Sequence, residues 1–196
     1  KKGKVFLIGD SHMITMGKSL SDQLVKNNYS FTSLTNGGCY YLPNFRYVNS
    51  KTNELMFGCD EIYQEKRKSL MMNATNPIAI IGGNLNRYLS NRGADLKTSV
   101  SNFITTKNFS LEESLKLSIY ELLENNIKVI IVYPIPEVPW DPLTRIYDSS
   151  NSRNFNEVKN YILSNNVTTS YKSYEIRSKK SFEILNDINH ENLFRV

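Results

Sequence analysis

The chain has 196 residues, 40% hydrophobic, 22% charged and 11% aromatic, a globular profile that excludes a disordered, collagen-like or coiled-coil polypeptide. Its formal charge of +5 comes from 24 basic and 19 acidic side chains, but these are dispersed and lack an aromatic-interleaved pattern, so no nucleic-acid partner is expected. No apolar run reaches the ~20 residues of a membrane-spanning helix, and two cysteines with two histidines make a poor zinc set.

The first apolar run, Lys4 to Ile8, is ended by Gly9-Asp10 and suits a buried parallel strand. Beyond Ser11-His12, residues Met16, Leu20, Leu24 and Val25 recur at helical spacing through Lys26. Tyr29 to Leu34 reads as a second strand, followed by the glycine loop Thr35 to Cys39. From Tyr40 to Phe57 the pattern is irregular and predicts a long surface loop. Cys59 to Met72 predicts a helix with Ile62, Tyr63 and Leu70 on one side. Its Lys66-Arg67-Lys68 run, like Arg177-Ser178-Lys179-Lys180 later, reads as a solvated helix face.

Pro77 to Ile81 is another buried strand, running into Gly82-Gly83. Ser110-Leu111-Glu112-Glu113 has the form of a capping box, and Leu115, Ile119, Leu122 and Leu123 continue that helix to Asn125-Asn126. Lys128 to Tyr133 is the most strand-like run, and Pro134, Pro136, Pro139 and Pro142 then impose an extended loop around Trp140. Tyr171 to Leu185 predicts a helix, and Leu193 to Val196 the beginning of a further strand. The chain thus reads as a piece of a longer protein. Alternating strands and helices predict one three-layer α/β/α domain with a parallel sheet across residues 1–196.

Ligands of open parallel sheets bind beyond the carboxyl ends of the strands. Three glycine-bearing loops fall there: Gly9-Asp10-Ser11-His12, Gly37-Gly38-Cys39 and Gly82-Gly83-Asn84-Leu85-Asn86. Ser11 sits where a strand turns into a helix, so it is either a nucleophile or, with Asp10, a simple helix cap. Asn84 carries a side-chain amide suited to holding an oxyanion, and Gly38 offers a backbone N–H with no side chain to block approach. The competing reading of the glycines is that they only form turns.

Val5-Phe6-Leu7-Ile8-Gly9-Asp10-Ser11-His12 resembles the first block of the SGNH hydrolase superfamily. Its Gly-Asp-Ser-His spelling is most similar to the SGNH domains fused to acyltransferase-3 membrane proteins, which O-acetylate bacterial surface polysaccharides. Gly38 then matches the second-block glycine. Gly82-Gly83-Asn84-Leu85 resembles the third block, with Leu85 where Asp is usual. The runs Val132 to Pro139 and Thr168-Thr169-Ser170-Tyr171 with Arg177 also resemble that subgroup. The resemblance implies a flavodoxin-like fold, a serine nucleophile at Ser11, and oxyanion donors at Gly38 and Asn84. It implies no metal and no organic cofactor. The implied partners are an acyl donor, a polysaccharide acceptor and the membrane acyltransferase domain of the parent protein, on the periplasmic side of a bacterial inner membrane. Residues alone leave Cys39 and Cys59 as buried thiols or a disulfide; the resemblance implies the bond.

A serine nucleophile needs a base. His12 adjoins Ser11 and points elsewhere, which suits a structural hydrogen bond within the turn. Asp187-Ile188-Asn189-His190 spells the fourth-block Asp-x-x-His and makes Asp187 and His190 candidates for orienting acid and base. Against this, the pair precedes a strand, at the edge of the sheet opposite Ser11. The resemblance places the working block beyond Val196. Two other readings compete with acyl transfer: a carbohydrate-binding or partner-docking module that keeps the fold without catalysis, and a phosphate-binding α/β domain. The latter lacks a Gly-Lys-Ser/Thr spelling.

Overall fold

The computed structural model describes residues 1–49, 54–55, 58–89, 101–105, 109–136, 146–148, 150–151, 154–165, 168 and 170–196. In chain order the elements are β1 (Lys4–Gly9), α1 (Ser11–Ile14), α2 (Gly17–Lys26), β2 (Ser30–Thr35), β3 (Phe45–Asn49), α3 (Glu61–Met72) and β4 (Pro77–Gly82). Then follow α4 (Leu85–Leu89), β5 (Ser101–Thr105), α5 (Leu111–Glu124), β6 (Lys128–Ile131), α6 (Phe155–Ser164), α7 (Tyr171–Asn186) and β7 (Leu193–Arg195).

The apolar runs form a five-stranded sheet in the order β2-β1-β4-β6-β7, with every pairing parallel. Successive strand residues face opposite ways. Phe6, Ile8, Ala79, Ile81, Val129 and Ile131 enter one core, with Met71 of α3, Leu85 of α4, Leu115 and Ile119 of α5 and Leu185 of α7. Val5, Leu7 and Ile80 enter the other, against Met13 of α1 and Leu20 and Leu24 of α2. This is the expected three-layer arrangement with flavodoxin-like strand order. The chain leaves β1 towards β2 on one side and enters β4 on the other, so the gap between β1 and β4 is the switch point where such folds bind ligands. At the start of α5, Ser110 Oγ accepts from the Glu113 N–H at 3.1 Å and Glu113 Oε2 from the Ser110 N–H at 2.8 Å. The expected capping box is therefore formed in both directions.

Several expectations fail. The first helix is two helices, broken at Thr15-Met16, and Met16 and Val25 are exposed. The segment from Tyr40 is no surface loop: Tyr40, Tyr41 and Leu42 are buried in the main core, and β3 pairs antiparallel with β5 in a separate ribbon. Helix α3 is turned over. Ile62 is 81% exposed, whereas Gln64, Arg67 and Met71 face inward. Arg67, expected on a solvated face, is 1% exposed. The buried carbonyls of Cys39 and Tyr40 draw Gln64 and Arg67 inward as their donors. Helix α6 was not expected; Asn154 caps it by accepting from the Asn156 and Glu157 N–H groups. Residues 137–142, with Trp140, lie outside the described residues, as does Thr169.

Candidate active site

Gly9 ends β1 at φ +149°, where a Cβ would stand 2.1 Å from the carbonyl oxygen of Gly82. Only glycine lets the ends of β1 and β4 come this close. Asp10 follows, buried at 2% exposure. Its Oδ1 accepts from the His12 N–H at 3.0 Å. Its Oδ2 accepts from the Asn84 N–H at 2.8 Å and, at 3.4 Å, from the Tyr88 hydroxyl. One carboxylate thus caps α1 and ties the loop after β1 to the loop after β4. Gly83, at φ +139°, clears the way: a Cβ there would lie 2.8 Å from the Asp10 carboxyl carbon and both its oxygens.

The competition for the cap is resolved in favour of Asp10. Ser11 is the first residue of α1, at the rim of the sheet, and is exposed. Asn84 caps α4, its Oδ1 accepting from the Arg87 N–H at 3.0 Å. With that oxygen engaged, the other arm of the amide is the Nδ2 donor. Leu85, where the resemblance expects Asp, is 1% exposed and joins the main core. Asn86 is likewise buried, donating to Ser178 Oγ at 2.9 Å and accepting from Ser181 Oγ at 2.6 Å, which anchors α4 on α7.

The third loop arrives from β2. Gly9 is in register with Thr35 as well as Gly82, and the Asn36 N–H donates to the Gly9 carbonyl at 3.0 Å. The turn Asn36–Cys39 is closed by the Cys39 N–H on the Asn36 carbonyl at 3.0 Å, with Gly38 at φ +70°, as the third position of a type II turn requires. A disulfide joins Cys39 to Cys59, Cα to Cα 5.4 Å, and Asn36 Nδ2 donates to the Gly58 carbonyl at 2.5 Å. The loops bearing Ser11, Gly38 and Asn84 therefore leave one rim of the sheet, at the switch point.

Asp187 and His190 are not brought there. Leu193 pairs with Val129, which pairs with Ala79, which pairs with Phe6. His190 lies before the first residue of that row and Ser11 after the last strand residue on β1. Three strand spacings, roughly 14 Å, also separate them across the sheet. Asp187 instead pairs with Lys116 at 2.5 Å, and His190 Nδ1 accepts from the Asn192 N–H at 3.1 Å. A helix-to-strand connector of a parallel sheet lies at the amino edge, so the four-letter match carries no geometry. His12 also differs from expectation: its backbone, not its ring, bonds Asp10, and its buried Nδ1 has no hydrogen-bond partner among the described residues.

Asp10, Tyr88 and Asn86 were not singled out as site residues. Asp10 is legible only as a rival cap, Asn86 only as the last residue of the third loop, and nothing in the letter of Tyr88 marks it. Among the described residues no three of His, Cys, Asp or Glu gather as a metal site, and no helix is long and apolar enough to cross a membrane.

Helices on both faces of a parallel sheet, with Ser11 and Asn84 on loops at its switch point, define a doubly wound α/β/α domain. The family model for the SGNH domain (fused to AT3 domains) matches residues 1–196, and the chain belongs to that family. No curated protein matches it. Among solved structures, the periplasmic domain of a lipopolysaccharide acetyltransferase from Salmonella ser. Paratyphi A is similar at 15% identity and a TM-score of 0.49. The match covers 100% of this chain and 66% of that one.

Proposed function

We propose that this domain transfers an acyl group, acetyl by family resemblance, through Ser11 to or from hydroxyls of a cell-surface polysaccharide. The observation that supports it most is the Asp10 carboxylate, which binds the Asn84 N–H and so holds the asparagine of one loop beside the serine of another. Ser11 Oγ attacks the carbonyl carbon of the donor ester. The hydroxyl proton passes to a base, and the oxyanion is held by the N–H groups of Ser11 and Gly38 and by the Asn84 amide. On collapse the donor's C–O bond breaks and its alkoxide takes the proton. An acceptor hydroxyl then attacks acyl-Ser11, giving the new ester and free serine. Water in place of the acceptor makes the domain an esterase.

The base is a group other than Asp187 and His190, delivered to the same rim by another part of the intact protein. The acyl donor arrives from the fused membrane domain, and the site faces the periplasm. The Cys39–Cys59 disulfide supports that location, because such bonds persist in oxidising compartments. In cells carrying Ser11→Ala in the intact protein, O-acetyl content of the surface polysaccharide should fall to the level of a deletion strain. Unchanged content would contradict the assignment.

A further inference from the structure

Arg67 is a buried guanidinium with no ion-pair partner among the described residues, and burial holds its pKa below the ordinary range. A cation in such a place is costly, so its contacts bear on what it does. Nη1 donates to the carbonyls of Cys39 and Tyr40 at 3.3 and 3.4 Å, to Gln64 Oε1 at 3.3 Å, and lies 3.5 Å from Cys39 Sγ. Its carbon sits 4.3 Å from the Tyr63 ring centroid. Gln64, equally buried, donates to the Tyr40 carbonyl at 2.8 Å. Both side chains thus grip the two residues that follow Gly38.

The grip continues beyond them. The Tyr40 ring packs on Tyr88, centroids 5.7 Å apart, and Tyr88 donates to the Asp10 carboxylate that holds the Asn84 N–H. Burial, with the Asp10 charge second, pushes the Tyr40 phenol above its ordinary range. A Met or Leu at position 67 would fill the same space without donors. What Arg adds is direction for two carbonyls, and hence for the Cys39–Tyr40 and Tyr40–Tyr41 peptide planes, the first of which lies two planes along the chain from the one that carries the Gly38 N–H.

We propose that Arg67, with Gln64, is a positioning residue of the Gly38 N–H, acting through the carbonyls of Cys39 and Tyr40. The proposal rests on the functional reading above. A residue that only fills the core would change stability alone, so the test reads the oxyanion site directly.

The intact protein is treated with a small alkyl fluorophosphonate. Ser11 Oγ bonds to phosphorus, fluoride leaves, and the phosphonyl oxygen occupies the oxyanion position. The labelling rate and the ³¹P chemical shift of the adduct are measured for the unsubstituted protein, Arg67→Met, Arg67→Lys and Gln64→Leu. In Arg67→Met the rate should fall about tenfold or more, and the ³¹P shift should move towards that of the denatured adduct. Arg67→Lys should recover part of both. Gln64→Leu, which keeps the cation and serves if Arg67→Met does not fold, should show the same changes at smaller size. A lower melting temperature with rate and ³¹P shift unchanged in the folded variants overturns the positioning role and leaves the functional reading intact. Failure of Ser11 to label in the unsubstituted protein overturns both.

Discussion

Replacing Asp10 by alanine removes one carboxylate and leaves the N–H groups of His12 and Asn84 without acceptors. Loss of the α1 cap costs about 1 kcal/mol. Leaving the partly buried Asn84 N–H unmatched costs about 1–2 kcal/mol more, and the 3.4 Å bond from Tyr88 adds little. The total is about 2–3 kcal/mol, which for a domain of this length lowers the melting temperature by about 4–12 °C. Circular dichroism melts and urea titrations read this directly. Asp10→Asn keeps the shape but offers one acceptor for two N–H groups, so its loss should be smaller. Ser11 labelling should slow in both variants, because Asn84 loses its tether. An alanine variant within about 0.5 kcal/mol of the unsubstituted protein would refute the view that this carboxylate joins the two loops.

Cys39→Ala with Cys59→Ala opens a loop of sequence separation 20 and should cost about 3 kcal/mol in denaturant unfolding, by the loop-entropy relation; a loss under about 1 kcal/mol would show that the closed loop constrains little. On acidification, the hydrogen bond from Lys180 leads in holding the Glu112 carboxyl below its usual range, and the one from Lys116 does the same for Asp187. Lowered native pKa values mean stability that is complete above the unfolded values near 4 and is lost as pH falls through the native ones. Urea midpoints measured from pH 5 to pH 3 should therefore decline, and Lys116→Met should flatten that decline. An equal slope in the variant would remove the cluster from the explanation.

Much of the fold is readable in the letters because a parallel strand is buried on both faces. Val5 to Ile8 and Ile78 to Ile81 therefore appear as unbroken apolar runs. The rim is readable for a related reason: glycines are required where β1 and β4 nearly touch, and Gly9, Gly82 and Gly83 mark the place. The interior behind the Gly38 turn is different. There an irregular backbone is buried, its carbonyls need donors, and the helix that covers it presents Gln64 and Arg67 inward while Ile62 faces water. Hydrophobic periodicity inverts at such a place. The Asp187–His190 pair shows the opposite failure, a spelling without a position: which edge of the sheet a connector occupies is set by topology. The Cys39–Cys59 bond was implied by family resemblance, not by spacing.

The central claim is that Ser11 is the nucleophile, and peptide mapping of the intact protein after fluorophosphonate treatment tests it most directly. The account predicts one stoichiometric adduct on the peptide containing Ser11, absent in Ser11→Ala and slowed in Asn84→Ala by about a hundredfold. An adduct that persists in Ser11→Ala, or none at all alongside undiminished glycan binding, would contradict it and leave a carbohydrate-binding module on a hydrolase scaffold.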